Sequence, residues 1–348
     1  MWVLVREKPL SSSGSGIKLR ALVTGATGFI GSNLCRALVE HGYSVRAFHR
    51  PTSNLAILKG LEIETVAGDI TDLESLKVAM QGIDVVFHCA AQLGQVSDLS
   101  IMKHITVNGT QNVIQAALEN GVHRFIHTSS VAALGVPPLI KTGQPYLLDE
   151  THTWNHRPLW WMYGYTKYLA ELEIQKAVAQ GLDAVIVNPT IVLGAGDIHR
   201  VSGNIIIYLA RHHLPMAVEG GANIVHIADV IDGHLAALNF GKTGERYIIG
   251  GENLTHFDFL SRISQVFHRS PPKWNLPAKL LTTLNPLYSA VEKLSPLPIS
   301  TSLLRLAGRY FYYDTQKAQN QLHLSPPRSI TDAIQQCYDW YVAQGVLT

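Results

Sequence analysis

Tyr163 and Lys167 stand four residues apart in Tyr163-Gly164-Tyr165-Thr166-Lys167. On a helix this spacing puts both side chains on one face. An ammonium beside a phenol favours tyrosinate and lowers the phenol's pKa, so the pair predicts a general acid or base usable near neutral pH. Tyr165, two residues after Tyr163, faces elsewhere. A second pair of the same spacing, Tyr313 and Lys317, has no hydroxyl-bearing strand upstream, and Asp314 reads as a helix N-cap that leaves Tyr313 outside the helix. The first pair has such a strand. The run 123–128 closes on His127-Thr128-Ser129-Ser130, and Ser130 lies 33 residues before Tyr163. Hydroxyls there can bond a substrate carbonyl oxygen. The competing role is capping of a turn or helix, and it weighs most on Ser129.

A second constellation opens the fold. The run 19–24 leads directly into Gly25-Ala26-Thr27-Gly28-Phe29-Ile30-Gly31, and a helical pattern starts at once, with Ile30, Leu34 and Leu38 at four-residue spacing and Gly42 as a stop. In a strand-turn-helix unit three glycines have separate mechanical tasks: a tight turn, close approach of backbone to a pyrophosphate, and packing of helix on strand. The helix start offers unpaired N–H groups and a partial positive charge to the phosphates. This context predicts a dinucleotide site containing Gly25, Thr27, Gly28, Phe29, Ile30 and Gly31. A site for NAD(H) places a carboxylate about 20 residues further on, against the ribose 2′-hydroxyl. No Asp or Glu occurs between Glu40 and Glu62, and the second strand ends Ala47-Phe48-His49-Arg50. A guanidinium suits a 2′-phosphate by its bidentate fork, so NADP(H) is preferred and NAD(H) remains possible.

The elements that must hold these residues alternate. Strand-like runs fall at 19–24, 44–48, 61–67, 83–88, 123–128 and 183–188, with helical patterns at about 72–81, 104–119 and 162–180. Alternation of this kind gives an α/β fold, a doubly wound Rossmann parallel sheet with helices on both faces. Two further strands are expected at 223–227 and 245–249, and helices at 229–240, 256–268, 278–293 and 329–343. Residues 1–17, with their Ser/Gly run, read as a flexible leader. Residues 18–194 with about 223–250 form the dinucleotide-binding domain in this reading. About 195–222 with 251–348 form a smaller, mostly helical substrate-binding cap over the sheet's carboxyl edge, where open α/β sheets bind ligands.

Composition narrows the function classes. Of 348 residues 47% are hydrophobic and 16% charged, enough for a sizeable core, and the net charge of +2 includes no basic stripe to track nucleic acid. The three cysteines, Cys35, Cys89 and Cys337, are far apart, which fits a reduced, cytoplasmic setting and no disulfide framework. Cys89 has no basic neighbour to activate a thiolate. His152 and His156 have helical ligand spacing, and His212 and His213 are adjacent, but no third ligand accompanies either pair, so no metal is expected. No window spans a membrane; 274–299 is apolar but broken by Pro277, Lys279, Pro286, Glu292 and Lys293, and loose membrane contact is the most it offers.

Further motifs recur along the chain: Gly68-Asp69-Ile70-Thr71-Asp72, His88-Cys89-Ala90-Ala91, Asn108-Gly109-Thr110, Asn188-Pro189 and His226-Ile227-Ala228-Asp229. With the glycine turn, the strand-end serines and the Tyr163–Lys167 pair, they fall in the order of the extended short-chain dehydrogenase/reductases, the NAD-dependent epimerase/dehydratase group. From about Leu19 to Leu238 the chain resembles that family, and its dihydroflavonol-4-reductase-like and hopanoid-associated epimerase-like members in particular. The resemblance implies that Tyr163 exchanges a proton with the substrate oxygen. Ser130 would hold that oxygen, and Lys167 would bond the nicotinamide ribose. Asp69 and Ile70 would flank the adenine, Ala90 and Ala91 would lie along the cofactor, and Pro189 to Val192 near the nicotinamide. Asn108 is expected to pack a helix with its side chain on backbone, Asp197 to cap the next helix, and Asp229 to cap rather than catalyse.

Dehydratase-like members carry an acidic pair after the strand-end hydroxyl, whereas Val131-Ala132-Ala133 follows Ser130 here, which argues against that chemistry. The favoured reading is an NADP(H) ketone or aldehyde reductase acting on an apolar or ring-shaped small molecule, with Trp154, Trp160, Trp161 and Met162 near the catalytic tyrosine. The first alternative is a nucleotide-sugar epimerase with retained NAD, for which Asn188-Pro189 matches a phosphate-contacting position. The second is a non-catalytic NADP(H)-binding sensor. A homodimer across the 104–119 and 162–180 helices is possible.

Overall fold

The computed structural model describes residues 18–93, 98–140, 144–280 and 307–347. The leader 1–17, most of the expected helix 278–293 and most of the apolar stretch 274–299 lie outside the described residues.

The chain runs β1 (Arg20–Thr24), α1 (Phe29–Glu40), β2 (Ser44–His49), β3 (Glu64–Ala67), α2 (Leu73–Ala79) and β4 (Val85–His88). There follow α3 (Leu99–Lys103), a π-turn (His104–Asn108), α4 (Gly109–Glu119), β5 (Arg124–Thr128), a 3-10 turn (Val131–Leu134), β6 (Leu147–Leu148), α5 (Met162–Ala179) and β7 (Ala184–Pro189). The last part holds β8 (Ile191–Leu193), α6 (Asn204–Arg211), β9 (Met216–Val218), β10 (Gly221–His226), α7 (Ile227–Phe240), β11 (Arg246–Ile249) and β12 (Glu252–Thr255). It ends with α8 (His256–Val266), β13 (Trp274–Leu276), β14 (Tyr310–Tyr313), α9 (Gln316–Gln321) and α10 (Ile330–Ala343).

Seven strands make one sheet in the order β11-β7-β5-β4-β1-β2-β3, every pair parallel. Its central strands are buried along their whole length, as β5 and β7 are, because helices cover both faces. Strand alternation divides the core in two. Ala21, Val23, Val85, Phe87, Ile126, Val185 and Val187 face the side with Leu34 and Leu38 of α1 and Val230 of α7. Leu22, Val86, Phe125 and Ile186 face the other side, with Leu76 of α2, Val113 of α4 and Ile174 of α5. The order reverses between β1 and β4, which opens a crevice at the carboxyl ends of the strands.

A second sheet joins β12, β10, β14 and β6, with β8 paired to β10. The strand expected at 223–227 therefore belongs to this smaller sheet, while α7, immediately after it, packs its Val230 against the large one. The region outside the large sheet so carries strands as well as helices, around Ile206, Leu209, Ile224, Leu254, Ile263, Ile334 and Tyr341. The helix read at 104–119 is broken into the π-turn and α4. Asn108 is exposed at that break; one turn on, Asn112 Nδ2 makes the backbone bond, to the Ile70 carbonyl at 3.0 Å. Asp229 does not cap α7. The imidazole of His226 does, accepting from the Ala228 N–H, and Asp229 pairs with Arg328. Asp197 holds three N–H groups ahead of α6, those of Val201, Ser202 and Gly203, at 2.8–3.0 Å.

Candidate active site

The turn after β1 is closed by Gly28 N–H donating to the Gly25 carbonyl at 2.9 Å. Gly25 has φ +67°, and a Cβ there would lie 2.8 Å from the Ala90 nitrogen. A Cβ on Gly31 would lie 2.2 Å from the Gly25 carbonyl oxygen, so only glycine lets α1 start this close to β1. No side chain caps α1 and no acidic residue lies in its first turn. The N–H groups of Phe29, Ile30 and Gly31 are therefore left for an anion, which fits a pyrophosphate. Thr27, Gly28, Phe29 and Ile30 are half-buried around it.

Other expected cofactor residues line the same edge. Phe48 pairs with Thr24, so exposed Arg50 stands two residues beyond, level with the glycine turn. Asp69 Oδ1 accepts from both the N–H and the hydroxyl of Thr71, which fixes the loop after β3. Ile70 is buried with its side chain against Gly109, and its carbonyl accepts from Asn112 Nδ2. Ala90 N–H donates to the Thr24 hydroxyl at 3.3 Å, and Ala91 follows it, half-buried. Pro189 and Val192 are buried at the end of β7 and in β8.

Beneath this edge lies a polar layer. His88 bonds the Thr24 hydroxyl (2.8 Å) and the Thr110 hydroxyl (3.0 Å), and burial lowers its pKa to about 3, so the ring is neutral. The rings of His88 and His127 lie 5.3 Å apart between centroids, and both ring nitrogens of His127 have no hydrogen-bond partner among the described residues. Burial raises the Cys89 thiol to about 11, so it is no nucleophile.

The proton-handling residues come together on α5 and the end of β5. Ser130 acts on the Tyr163 phenol, favouring its charged form. Its oxygen also accepts from the Ala132 N–H at 3.2 Å, so Ser130 caps the 131–134 turn as well. Ser129, the residue expected to cap, turns away to Glu171 at 2.5 Å. Lys167 Nζ is buried and donates to the Thr128 carbonyl at 2.9 Å. The sequence predicted a phenol pKa lowered by Lys167. The opposite holds: burial raises Tyr163, and Ser130 offsets part of the rise. Burial lowers Lys167 in turn to about 8. Desolvation of the charged form is the largest influence on each.

Tyr313 and Lys317 diverge, the phenol buried in an apolar cluster and the ammonium on Glu245. Trp154 lies 5.7 Å from the Tyr165 ring and Trp161 5.7 Å from Phe311, while His156 stacks on Trp160 at 4.3 Å. Together they form an aromatic wall around the start of α5. His152 bonds Asp149, and no group of three His, Cys, Asp or Glu residues suited to a metal occurs among the described residues.

Two residues, Glu171 and Arg246, escaped the sequence reading; with Asn188 they form a largely buried polar knot behind Ser130. Asn188, expected at a substrate phosphate, is fully buried, and its Nδ2 donates to Glu171 (2.6 Å) and to the Ser130 carbonyl (3.0 Å). Glu171 stands four residues after Lys167 on the same face, a signal that extending the spacing by one turn would have found.

A glycine turn into an uncapped helix, with a serine, tyrosine and lysine at the carboxyl edge of a parallel sheet, defines a nicotinamide-dinucleotide enzyme of the extended short-chain dehydrogenase/reductase class. The family model described as "NAD dependent epimerase/dehydratase family" matches residues 21–250, and the chain belongs to that family. It is 37% identical over 336 residues to a protein of Synechocystis sp. named "Putative dihydroflavonol 4-reductase", covering 93% of this chain and 94% of that one. It is 30% identical to sterol demethylase protein B of Methylococcus capsulatus, over 94% of this chain and all of that one (100%). Among solved structures, that of gox2253 aligns with TM-score 0.81 and 35% identity, covering 94% of this chain and 99% of the other. The chain is thus an enzyme of a family of oxidoreductases and epimerases. No helix of the described residues is long and apolar enough to cross a membrane.

Proposed function

We propose that this enzyme is an NADP(H)-dependent carbonyl reductase acting on an apolar, ring-bearing ketone or aldehyde. The observation that carries the reading is the meeting of α5 with the end of β5, where Lys167 bonds the Thr128 carbonyl and Ser130 acts on the Tyr163 phenol, beside an aromatic wall of Trp154, Trp160 and Trp161. The nicotinamide, when bound, supplies the hydride. The chain's own residues do the rest. Ser130 orients the substrate oxygen, and Tyr163 delivers a proton to it as the carbonyl carbon is reduced. Lys167 holds a positive charge beneath Tyr163 and bonds the ribose. Gly25 to Gly31 hold the pyrophosphate, with Asp69, Ile70, Ala90, Ala91, Pro189 and Val192 along the cofactor. Arg50, exposed at the end of β2 and without an acidic residue nearby in sequence, suits a 2′-phosphate.

A relative named "Putative dihydroflavonol 4-reductase" supports a reductase. The epimerase reading loses Asn188 as a phosphate contact, because its amide is buried and its donors are taken. Tyr163→Phe tests the proposal. With NADPH and a panel of aromatic aldehydes and fused-ring ketones, turnover should fall about 10²- to 10⁴-fold while NADPH binding persists. Undiminished turnover would remove Tyr163 from the mechanism. NAD that copurifies and does not exchange would favour an epimerase, and exchangeable NADPH with no turnover a sensor.

A further inference from the structure

We propose that Glu171 is a positioning residue: through Ser129 and Asn188 it fixes the backbone that carries Ser130, and it is the counter-charge of Lys167. The proposal rests on the proton-exchange role given to Tyr163 above.

Tyr163, Lys167 and Glu171 are spaced by four along α5 and so share a face. Each grips the end of β5 at a different residue. Tyr163 meets the Ser130 hydroxyl, Lys167 the Thr128 carbonyl at 2.9 Å, and Glu171 the Ser129 hydroxyl at 2.5 Å. Glu171 also takes Asn188 Nδ2 at 2.6 Å, and the same nitrogen donates to the Ser130 carbonyl at 3.0 Å. Its other oxygen pairs with Arg246 at 2.9 Å. Glu171 and Ser129 are each 4% exposed and Asn188 0%. A carboxylate buried this deeply is tolerable only when its lone pairs are filled, and these are filled by groups that define where Ser130 sits.

The charged and titratable groups that act on Lys167 come from three elements. Glu171 lies on its own helix, His88 and Cys89 at the end of β4, and His127 on β5. Both imidazoles are neutral because burial lowers them, and the Cys89 thiol keeps its proton. Glu171 is therefore the one fixed negative charge in this set. Taking it away removes an influence that raises Lys167, so the ammonium must lose its proton at lower pH.

The test uses the full chain. In protein labelled with [ε-¹³C]lysine, the Lys167 resonance is assigned by its loss in Lys167→Met and titrated without substrate. Its midpoint near 8 should fall by about half a unit or more in Glu171→Gln. With NADPH and a carbonyl compound from the panel above, kcat of this variant should drop about tenfold or more while the KM for NADPH holds within about twofold. Its alkaline limb should move in the same direction as the midpoint. Glu171→Asp should restore part of both. An unchanged midpoint and an unchanged kcat beside a lowered melting temperature would overturn the proposal, since that is what a merely structural carboxylate gives. If Glu171→Gln does not fold, Asn188→Ala cuts only the tie to Ser130. Its kcat should fall several-fold with the Lys167 midpoint unmoved, and wild-type kcat there overturns the link to Ser130. Active Tyr163→Phe would sink the proposed reaction instead, and the Lys167 titration would still decide the role of Glu171.

Discussion

At the residue scale, spacing identified the partners but not their protonation. Tyr163 and Lys167 are legible as an i, i+4 pair. The environment that sets their pKa values is not, because it comes from β4 and β5, far away in sequence. Both groups are taken out of water, and burial pushes the phenol up and the ammonium down. Arg50 is the opposite case. It is exposed and level with the glycine turn, so the sequence argument about the missing acid needs no correction for burial. If Arg50 carries the 2′-phosphate, Arg50→Ala should raise the KM for NADPH about tenfold, the loss of one charge-assisted hydrogen bond. The KM for NADH should stay where it was. Equal losses with both cofactors in steady-state kinetics would refute the assignment.

At the element scale, the strands of the large sheet were readable from their β-branched runs, and the glycine turn from its place between β1 and α1. Which sheet a strand joins was not readable. The strand expected at 223–227 was read like the strands before it, yet β10 pairs with β8, β12 and β14. Pairing is decided by non-local contacts rather than by propensity. The docking of α5 on the 131–134 turn was equally hidden, although its cause is one residue. A Cβ on Gly164 would lie 2.7 Å from both the Ala132 carbonyl and the Trp154 ring. Gly164→Ala should therefore lever α5 away from the turn and cost about 1–3 kcal/mol, the usual effect of overfilling a packed contact. Thermal unfolding measures that cost. Turnover should fall as well, since the shift parts Tyr163 from Ser130, and a variant with wild-type stability would show that the contact yields cheaply.

At the scale of the whole molecule, residues from the ends of β1, β2, β4, β5 and β7 converge on one edge because every strand of the large sheet points the same way. Topology thus explains why site residues spread over more than 160 positions meet, and the alternation of strand and helix made that legible. The face opposite the sheet was less so. The small sheet reaches the site through Phe311 on Trp161 and Arg309 over Trp160, contacts between distant, short and irregular segments. A ligand held by so many separate strands should stabilise the entire fold. NADPH at about 100 times its dissociation constant should add about 2.7 kcal/mol, seen as a higher melting temperature in calorimetry or dye-based unfolding. No rise at saturating NADPH would contradict a preformed dinucleotide site.

The clasp between α5 and β5 also has a metric. Four helical residues, from Tyr163 to Lys167, advance about 6 Å, and two residues of extended chain, from Thr128 at the end of β5 to Ser130, advance about 6.6 Å. The two rulers agree, which is why one helix face can reach both ends of that extended segment without bending. Such agreement holds only for an unbroken count. One residue inserted between Tyr163 and Lys167 would turn either side chain about 100° around the helix axis, and no rotamer could bring it back. Substitution can tune this region gradually, but a change of length there is all or nothing.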